Sequence, residues 1–381
     1  MPERKPIQPD APVADSLRRE PLPPCRHYLS TGCTLLDLAV SDRYPGGVGS
    51  GRVVQLIGDN STAKSVIMHE ILGAAQRLGG YALEEDAEYT PDFLRSELFG
   101  LSVGHWKDDG VQEAALGKGL ADVLGVDDHY CYRNPQTIEE VFDGEIGVAV
   151  QALSGVVQDG KKQRGVKPIL GPLAIGVDTF TALPSNQEQE DSLDQASYRM
   201  ERAKKMSAGF RKWLGQVARN DVTIVAVDHI RDAVGVTFGP KWTTSGGLAL
   251  QQYSSTRIFL AHAGDVKNGS DRVIGVKIRA KVVKNKIAPP GREVTFHVLF
   301  DYGIDDIRTN LEWLVEQKET CLLTQGGSWY SWGEDKLGNG MDAAVLGVEK
   351  QNKQAAVRAE VARVWKEVYA AAERAPKERG V

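Results

Sequence analysis

No stretch of this sequence restricts the fold more than Val53 to Ile71. An apolar run, Val53-Val54-Gln55-Leu56-Ile57, is followed by Gly58-Asp59-Asn60-Ser61-Thr62-Ala63-Lys64-Ser65, then by Ile67, Met68, Ile71, Leu72 and Ala75 at helical spacing. Strand, loop and helix in that order frame a phosphate loop of the G-x-x-x-x-G-K-[ST] type, with Ala63 where the pattern has glycine. A short loop that opens a helix directs backbone N–H groups and the positive helix end at a phosphate. Lys64 adds a mobile charge for β and γ phosphates, and the Ser65 hydroxyl is a hard oxygen ligand for magnesium. If position 63 needs positive φ, alanine there costs about 1–2 kcal/mol. If it does not, only a methyl has to be fitted. Taken alone, an ordinary Gly/Ser connection between strand and helix competes with this reading.

With 381 residues, 41% hydrophobic and 25% charged, the chain has room for a sizeable core in one or two domains. No apolar run approaches the ~20 residues a membrane helix needs, and the Pro-rich start has no signal-peptide core, so a cytoplasmic protein is expected. Cys25, Cys33, Cys131 and Cys321 are scattered, with no C-x-x-C and no histidine at ligand spacing. They read as reduced thiols, not as a disulfide frame or a zinc site. A net charge of −5 gives no global attraction to nucleic acid, so any such binding needs local basic patches.

Prolines at 2, 6, 9, 12, 21, 23 and 24 make residues 1–28 a flexible arm. A short helix is expected from Thr34 to Val40 and a Gly/Pro turn at 45–49. Tyr81-Ala82-Leu83 begins a strand ending in Glu84-Glu85-Asp86-Ala87-Glu88. Acids at a strand end are usually solvated, but at the carboxyl edge of a parallel sheet they lie where ligands bind. His129 to Tyr132 reads as a strand, Thr137-x-x-Glu140 as a capping box for a helix through about Val157, and Lys161 to Gly165 as a polar loop. Leu173 to Asp178 is an apolar strand ending in an acid able to hold magnesium through water. Pro184 to Asp194 is acidic, and a basic helix runs from about Gln195 to Ala218. Val222 to Val227 is a strand ending in Asp228-His229, and Arg231 to Gly247 a long Gly/Thr-rich loop, a type that is functional or disordered. Strands at 272–284 and 293–300 make a hairpin-like pair. Gly327 to Gly333 reads as a turn region, and a final helix runs from Lys353 to about Arg374.

From Ser30-Thr31-Gly32 to about Gly340 the chain resembles the RecA recombinases, DNA strand-exchange ATPases. The residues that carry the resemblance are Asp86-Ala87-Glu88, Val177-Asp178, Ile230-Arg231 with Gly235-Val236 and Phe238-Gly239, Thr243 to Gly247, Lys281 to Ala288, and Trp329-Tyr330-Ser331. The resemblance implies an α/β fold: an NTPase core with a twisted, mostly parallel sheet flanked by helices, and a small C-terminal α+β domain. Expected boundaries are 1–28 for the arm, 29–303 for the core and 304–381 for the small domain. It implies ATP and Mg2+ as cofactors, held by Gly58 to Ser65 with Asp178, with Ser65 and Asp178 serving the metal. Glu88 falls on the catalytic carboxylate, and Asp92 on the residue that contacts adenine. Lys284 and Lys286 fall on a pair that reaches the neighbouring subunit's nucleotide. A site completed in trans implies self-association into a helical filament or a ring.

The stretches Gln187 to Asp194 and Arg231 to Gly247 correspond to the family's DNA-binding loops. In the second, Arg231 can pair with phosphate, the amides of Gly246 and Gly247 can do likewise, and Val236 or Phe238 can wedge between bases. Lys204 and Arg211 lie at supporting basic positions. The implied partners are single-stranded DNA and homologous duplex DNA, bound without sequence preference and sensitively to salt. Four departures stand out: Ala63, His229 in place of a glutamine, Arg95 in place of an aromatic, and an acidic first loop. A nucleotide-binding relative with little turnover, or a ring-forming motor, remains an alternative to the recombinase.

Overall fold

The computed structural model describes residues 25–89, 93–103, 129–153, 156–159, 162–165, 171–190, 198–232, 242–244, 247–317 and 321–370. Strands β1 (Tyr28–Leu29) and β2 (Val48–Gly49) pair across α1 (Thr34–Ser41). Next come β3 (Val53–Gly58), α2 (Lys64–Arg77), β4 (Tyr81–Asp86), α3 (Phe93–Leu98) and β5 (Tyr130–Arg133). A π-helical segment, Glu140–Ile146, runs into α4 (Gly147–Leu153), and a hairpin of β6 (Val156–Asp159) and β7 (Lys162–Gly165) follows. The chain continues through β8 (Leu173–Asp178), α5 (Asn186–Glu190), α6 (Tyr198–Arg219), β9 (Val222–Asp232), β10 (Trp242–Thr244) and α7 (Gly247–Tyr253). Then come β11 (Thr256–Lys267), β12 (Val273–Asn285), β13 (Glu293–Leu299), β14 (Gly303–Ile304) and α8 (Asp306–Glu316). The last elements are β15 (Leu323–Gly326), β16 (Trp329–Trp332), β17 (Asp335–Asn339), α9 (Met341–Lys350) and α10 (Gln354–Ala370).

A 10-stranded sheet in the order β14-β13-β12-β11-β3-β9-β8-β4-β5, with β10 beside β9, dominates the molecule. From β11 to β5 every neighbouring pair is parallel, whereas β12, β13 and β14 are added antiparallel. Successive side chains of a strand point to opposite faces, and the core divides accordingly. Val54, Leu56, Val225 and Val227 join α1, α2, α8 and α10 on one face. Val53, Ile224 and Ala226 join Phe142, Phe210 and Val217 on the other. The parallel order puts the carboxyl ends of β3, β4, β8 and β9 at one edge, with the order reversing around β3, which is where open α/β sheets bind ligands. Residues of the C-terminal elements, among them Leu311, Val348 and Trp365, belong to the same apolar cluster as β3. No described helix is long and apolar enough to cross a membrane.

Several sequence expectations are corrected. Residues 25–28 are not part of a loose arm: Tyr28 pairs with Gly49, and His27 Nδ1 lies 2.6 Å from Asp221 Oδ2. The helix expected through Val157 ends at Leu153, and Lys162 to Gly165 is a strand paired with β6, not a loop. β9 runs on to Asp232 because Ile230, Arg231 and Asp232 pair with Thr244, Thr243 and Trp242, so the long loop is shorter than expected at both ends. Trp329 to Trp332 is the central strand of a three-stranded antiparallel sheet. The first loop begins as the short helix α5, with Glu188 beside Arg202 at 3.6 Å. The acids of β4 are buried, not solvated, at 8% exposure for Glu84, 0% for Glu85 and 5% for Asp86.

Candidate functional site

The loop between β3 and α2 is shaped by two left-handed residues, Ser61 (φ 58°) and Ala63 (φ 62°). Alternation of this kind turns successive amides toward one side, an anion-binding concavity. Ala63 therefore occupies the strained alternative considered above. Gly58 is required by close approach, since a Cβ there would lie 2.4 Å from Thr62 Oγ1 and 2.6 Å from Leu260 O. Thr62 Oγ1 and Lys64 Nζ both donate to the carbonyl of Asp59, at 2.7 and 2.6 Å, closing the loop on itself. Burial lowers the pKa of Lys64, against the pull of Asp178, Asp59 and Glu88.

Lys64 opens α2, which places Ser65 toward the end of β8. Ser65 Oγ donates to Asp178 Oδ2 at 2.7 Å. Burial pushes the Asp178 carboxyl up to about 6, with the Ser65 hydrogen bond lowering it and Glu88 raising it. β4 is parallel to β8, with Asp86 opposite Asp178. Asp86 Oδ1 then accepts from the N–H groups of Glu88 and Tyr89, at 2.8 and 3.0 Å, which fixes the turn carrying Glu88. On the other side β9 sets His229 level with Gly58. His229 Nε2 lies 3.5 Å from Glu88 Oε1, and burial with the nearby Lys64 charge lowers its pKa.

These groups share a cleft of about 400 Å³ lined by Asn60 to Ser65, Glu88, Asp178 and His229. Phe99, Val276, Val298, Leu299 and Phe300 form its apolar wall, which sequence reasoning missed. Phe300 is 43% exposed directly after β13, a position its strand periodicity does not single out. The donor set fits a magnesium-bound nucleoside triphosphate: amides and an ammonium for phosphate, a hydroxyl and a carboxylate oxygen for the metal, and an apolar face for a base. His69 and Glu84 also border the cleft. Burial raises the Glu84 pKa, but the His69 charge and hydrogen bonds from His69 (2.9 Å) and Tyr130 (2.8 Å) leave it below the usual carboxylate value.

Not every expected residue meets here. Lys284 pairs with Arg257, which is level with Gln55 near the amino end of β3, so it lies toward the opposite end of the sheet from the phosphate loop. Lys284 Nζ donates to the carbonyls of Gln251 and Gln252 at the end of α7, at 2.7 and 3.0 Å. Lys286 follows β12 at that same end. Lys204 and Arg211 are exposed and seven residues apart on α6, hence on one helix face. Lys204 lies 3.7 Å from Glu201, and three other α6 bases have acidic partners: Arg202 with Glu188 at 3.6 Å, Lys205 with Glu139 at 3.0 Å and Lys212 with Asp143 at 2.7 Å. Gly247 begins α7, and the backbone of Arg231 belongs to β9. Asp92, Val236, Phe238 and Gly246 lie outside the described residues, as does the side chain of Arg95.

Comparison with known proteins identifies the family. The RecA N-terminal domain family matches residues 172–305. Protein RecA of Rubrobacter xylanophilus is 30% identical over 317 residues, covering 83% of this chain and 77% of that protein. Protein RecA of Chlamydia trachomatis is 30% identical over 326 residues (86% and 78%), and that of Methylococcus capsulatus 30% over 314 residues (82% and 76%). With a phosphate loop, an acid-tipped β4 and β8 and these relatives over most of its length, the chain belongs to the RecA family.

Proposed function

We propose that the chain is an ATP-dependent recombinase that assembles on single-stranded DNA and pairs it with a homologous duplex. The observation that carries this reading is the convergence of Lys64, Ser65, Glu88 and Asp178 at one edge of the sheet. Bound Mg–ATP would supply the phosphoanhydride whose cleavage drives the cycle. The amides of residues 59–65 and Lys64 hold the phosphates, and Lys64 leaves the Asp59 carbonyl to do so. Ser65 and Asp178 hold magnesium, the latter as a carboxylate. Phe300 and its apolar neighbours take the base, with Asp92 and Arg95 as further candidates from α3 and its approach. Glu88 orients or deprotonates the attacking water, a role that requires one hydrogen bond to it, and His229 sits beside it as the group that links the nucleotide to β9.

β9 carries Arg231 near its end and leads, in sequence, to Val236 and Phe238 and then to α7. Gln251 donates to Thr244 at 3.0 Å, and Lys284 holds the far end of α7, so the proposed DNA loop and the proposed trans lysine share one helix. With the phosphate loop and Lys284 toward opposite ends of the sheet, head-to-tail contacts between copies complete each nucleotide site. Such contacts generate a ring if the rotation closes and a filament if it does not. Lys204, Arg211, Arg231, Gly246 and Gly247 supply the phosphate-facing surface for DNA.

The test is joint-molecule formation. Purified protein with ATP and magnesium is expected to join circular single strands to homologous linear duplex and to ignore heterologous duplex. Strand displacement without any need for homology supports the motor reading instead, and nucleotide binding with no joint molecules supports the weakly hydrolysing one.

A further inference from the structure

We propose that Glu88, Asp178 and His229 form a binding site for a divalent metal of the zinc or cobalt class. Their ligand atoms, two carboxylate oxygens and one imidazole nitrogen, all lie within 4.8 Å of one another. Ligands at about 2.0–2.2 Å around a tetrahedral ion stand roughly 3.3–3.6 Å apart. The His229 Nε2 to Glu88 Oε1 separation, 3.5 Å, already has that value. The Asp178 oxygen lies within 4.8 Å of both, and Glu88, whose side chain is 42% exposed, is free to adjust toward an ion placed between them.

Two of the three ligands are held from behind, as metal ligands commonly are, and the third is placed by its strand. Asp178 accepts from Ser65. The turn bearing Glu88 is fixed by the two N–H bonds to Asp86, whose other oxygen accepts from Tyr132 at 2.6 Å. His229 is set by its strand register with Gly58. Lys64, whose charge acts on Asp178 and His229, directs its ammonium at the Asp59 carbonyl.

The imidazole decides the class of ion. Magnesium is a hard cation that takes oxygen ligands and keeps its waters, whereas imidazole with carboxylates suits zinc and its first-row neighbours. This site therefore differs in chemistry from the Ser65 and Asp178 magnesium position, although Asp178 belongs to both. An ion here engages Glu88, so metal-bound protein cannot use that carboxylate on water. The inference does not require the ATPase reading, because its test is run without nucleotide.

Cobalt(II) titrated into the full-length, nucleotide-free protein reports the site by its visible absorption. One ion per chain is expected, with a nitrogen-and-oxygen spectrum that zinc displaces, following the usual order of affinities. His229→Gln and Glu88→Gln, both close in size to the native side chains, are each expected to weaken binding at least tenfold. Absence of a visible band overturns the proposal. So does a band of undiminished affinity in both variants, or a near-ultraviolet thiolate band that places the ion on the cysteines.

Discussion

Glu88 and His229 face each other at 3.5 Å, joining the turn after β4 to the strand that leads into the stretch 233–241. The pair brings a carboxylate and an imidazole together in the cleft beside the loop of residues 60–65. Positioned general bases contribute roughly 10²–10⁴-fold to rate. Glu88→Gln is therefore expected to retain nucleotide affinity within a few-fold while turnover falls by about that factor. Calorimetry for binding and phosphate release for turnover separate the two; equal losses in both would mean Glu88 supports binding instead.

Ala63 tests the loop itself. A left-handed alanine costs about 1–2 kcal/mol, and glycine there removes that strain at about 0.4–1 kcal/mol of additional unfolded-state entropy. Ala63→Gly is expected to stabilise the protein by roughly 0.5–1 kcal/mol without weakening nucleotide binding. Urea denaturation curves measure the first and calorimetry the second. A destabilised variant would contradict the backbone conformation described here.

A pH dependence follows from Glu70 on α2, whose carboxyl burial pushes up to about 7, with Arg77 opposing. A folded pKa above the ordinary 4.5 means the fold favours the protonated acid. Its stabilising contribution is complete below pH 4.5 and is lost as pH rises through 7. Asp37, raised by burial to about 6, acts in the same direction. Glu70→Gln is expected to gain on the native protein between pH 5 and pH 8, by on the order of 1–3 kcal/mol. Urea midpoints at the two pH values decide it, and a constant difference between the proteins would refute it.

Lys284 tests the shared site. Lys284→Ala is expected to lose turnover although it lies away from its own phosphate loop. Mixed with Glu88→Gln, it is expected to recover part of the activity, because some boundaries then pair an intact Glu88 site with an intact Lys284. No recovery at any mixing ratio would argue that each chain works alone.

Much of this was legible because apolar runs ending in acids or glycine mark parallel strands and their carboxyl ends. That signal located β3, β4, β8 and β9, and with them Lys64, Ser65, Glu88 and Asp178. The signal failed where partners are distant in sequence. Glu84 reads as a solvated acid until β4 is placed against α2 and β5, where His69 and Tyr130 reach it. Glu85 is more extreme: it is fully buried with neither oxygen hydrogen-bonded among the described residues, and burial, with Glu145 adding to it, raises its pKa well above the usual value. A neutral acid in a core looks the same in sequence as a charged one at a surface. Phe300 carries no signal of its own, since an aromatic after a strand is ordinary until β13 is seen to end at the cleft. The extension of β9 depends on Trp242 to Thr244 returning alongside it, a pairing that no local periodicity announces.

The central claim is that nucleotide chemistry at Lys64, Ser65, Glu88 and Asp178 is coupled to DNA. Phosphate release from ATP and magnesium, measured with and without single-stranded DNA, tests it most directly. The expected result is hydrolysis that rises severalfold on adding DNA of any sequence, falls with salt, and disappears in Lys64→Ala. Hydrolysis indifferent to DNA, or unchanged by Lys64→Ala, would contradict the claim.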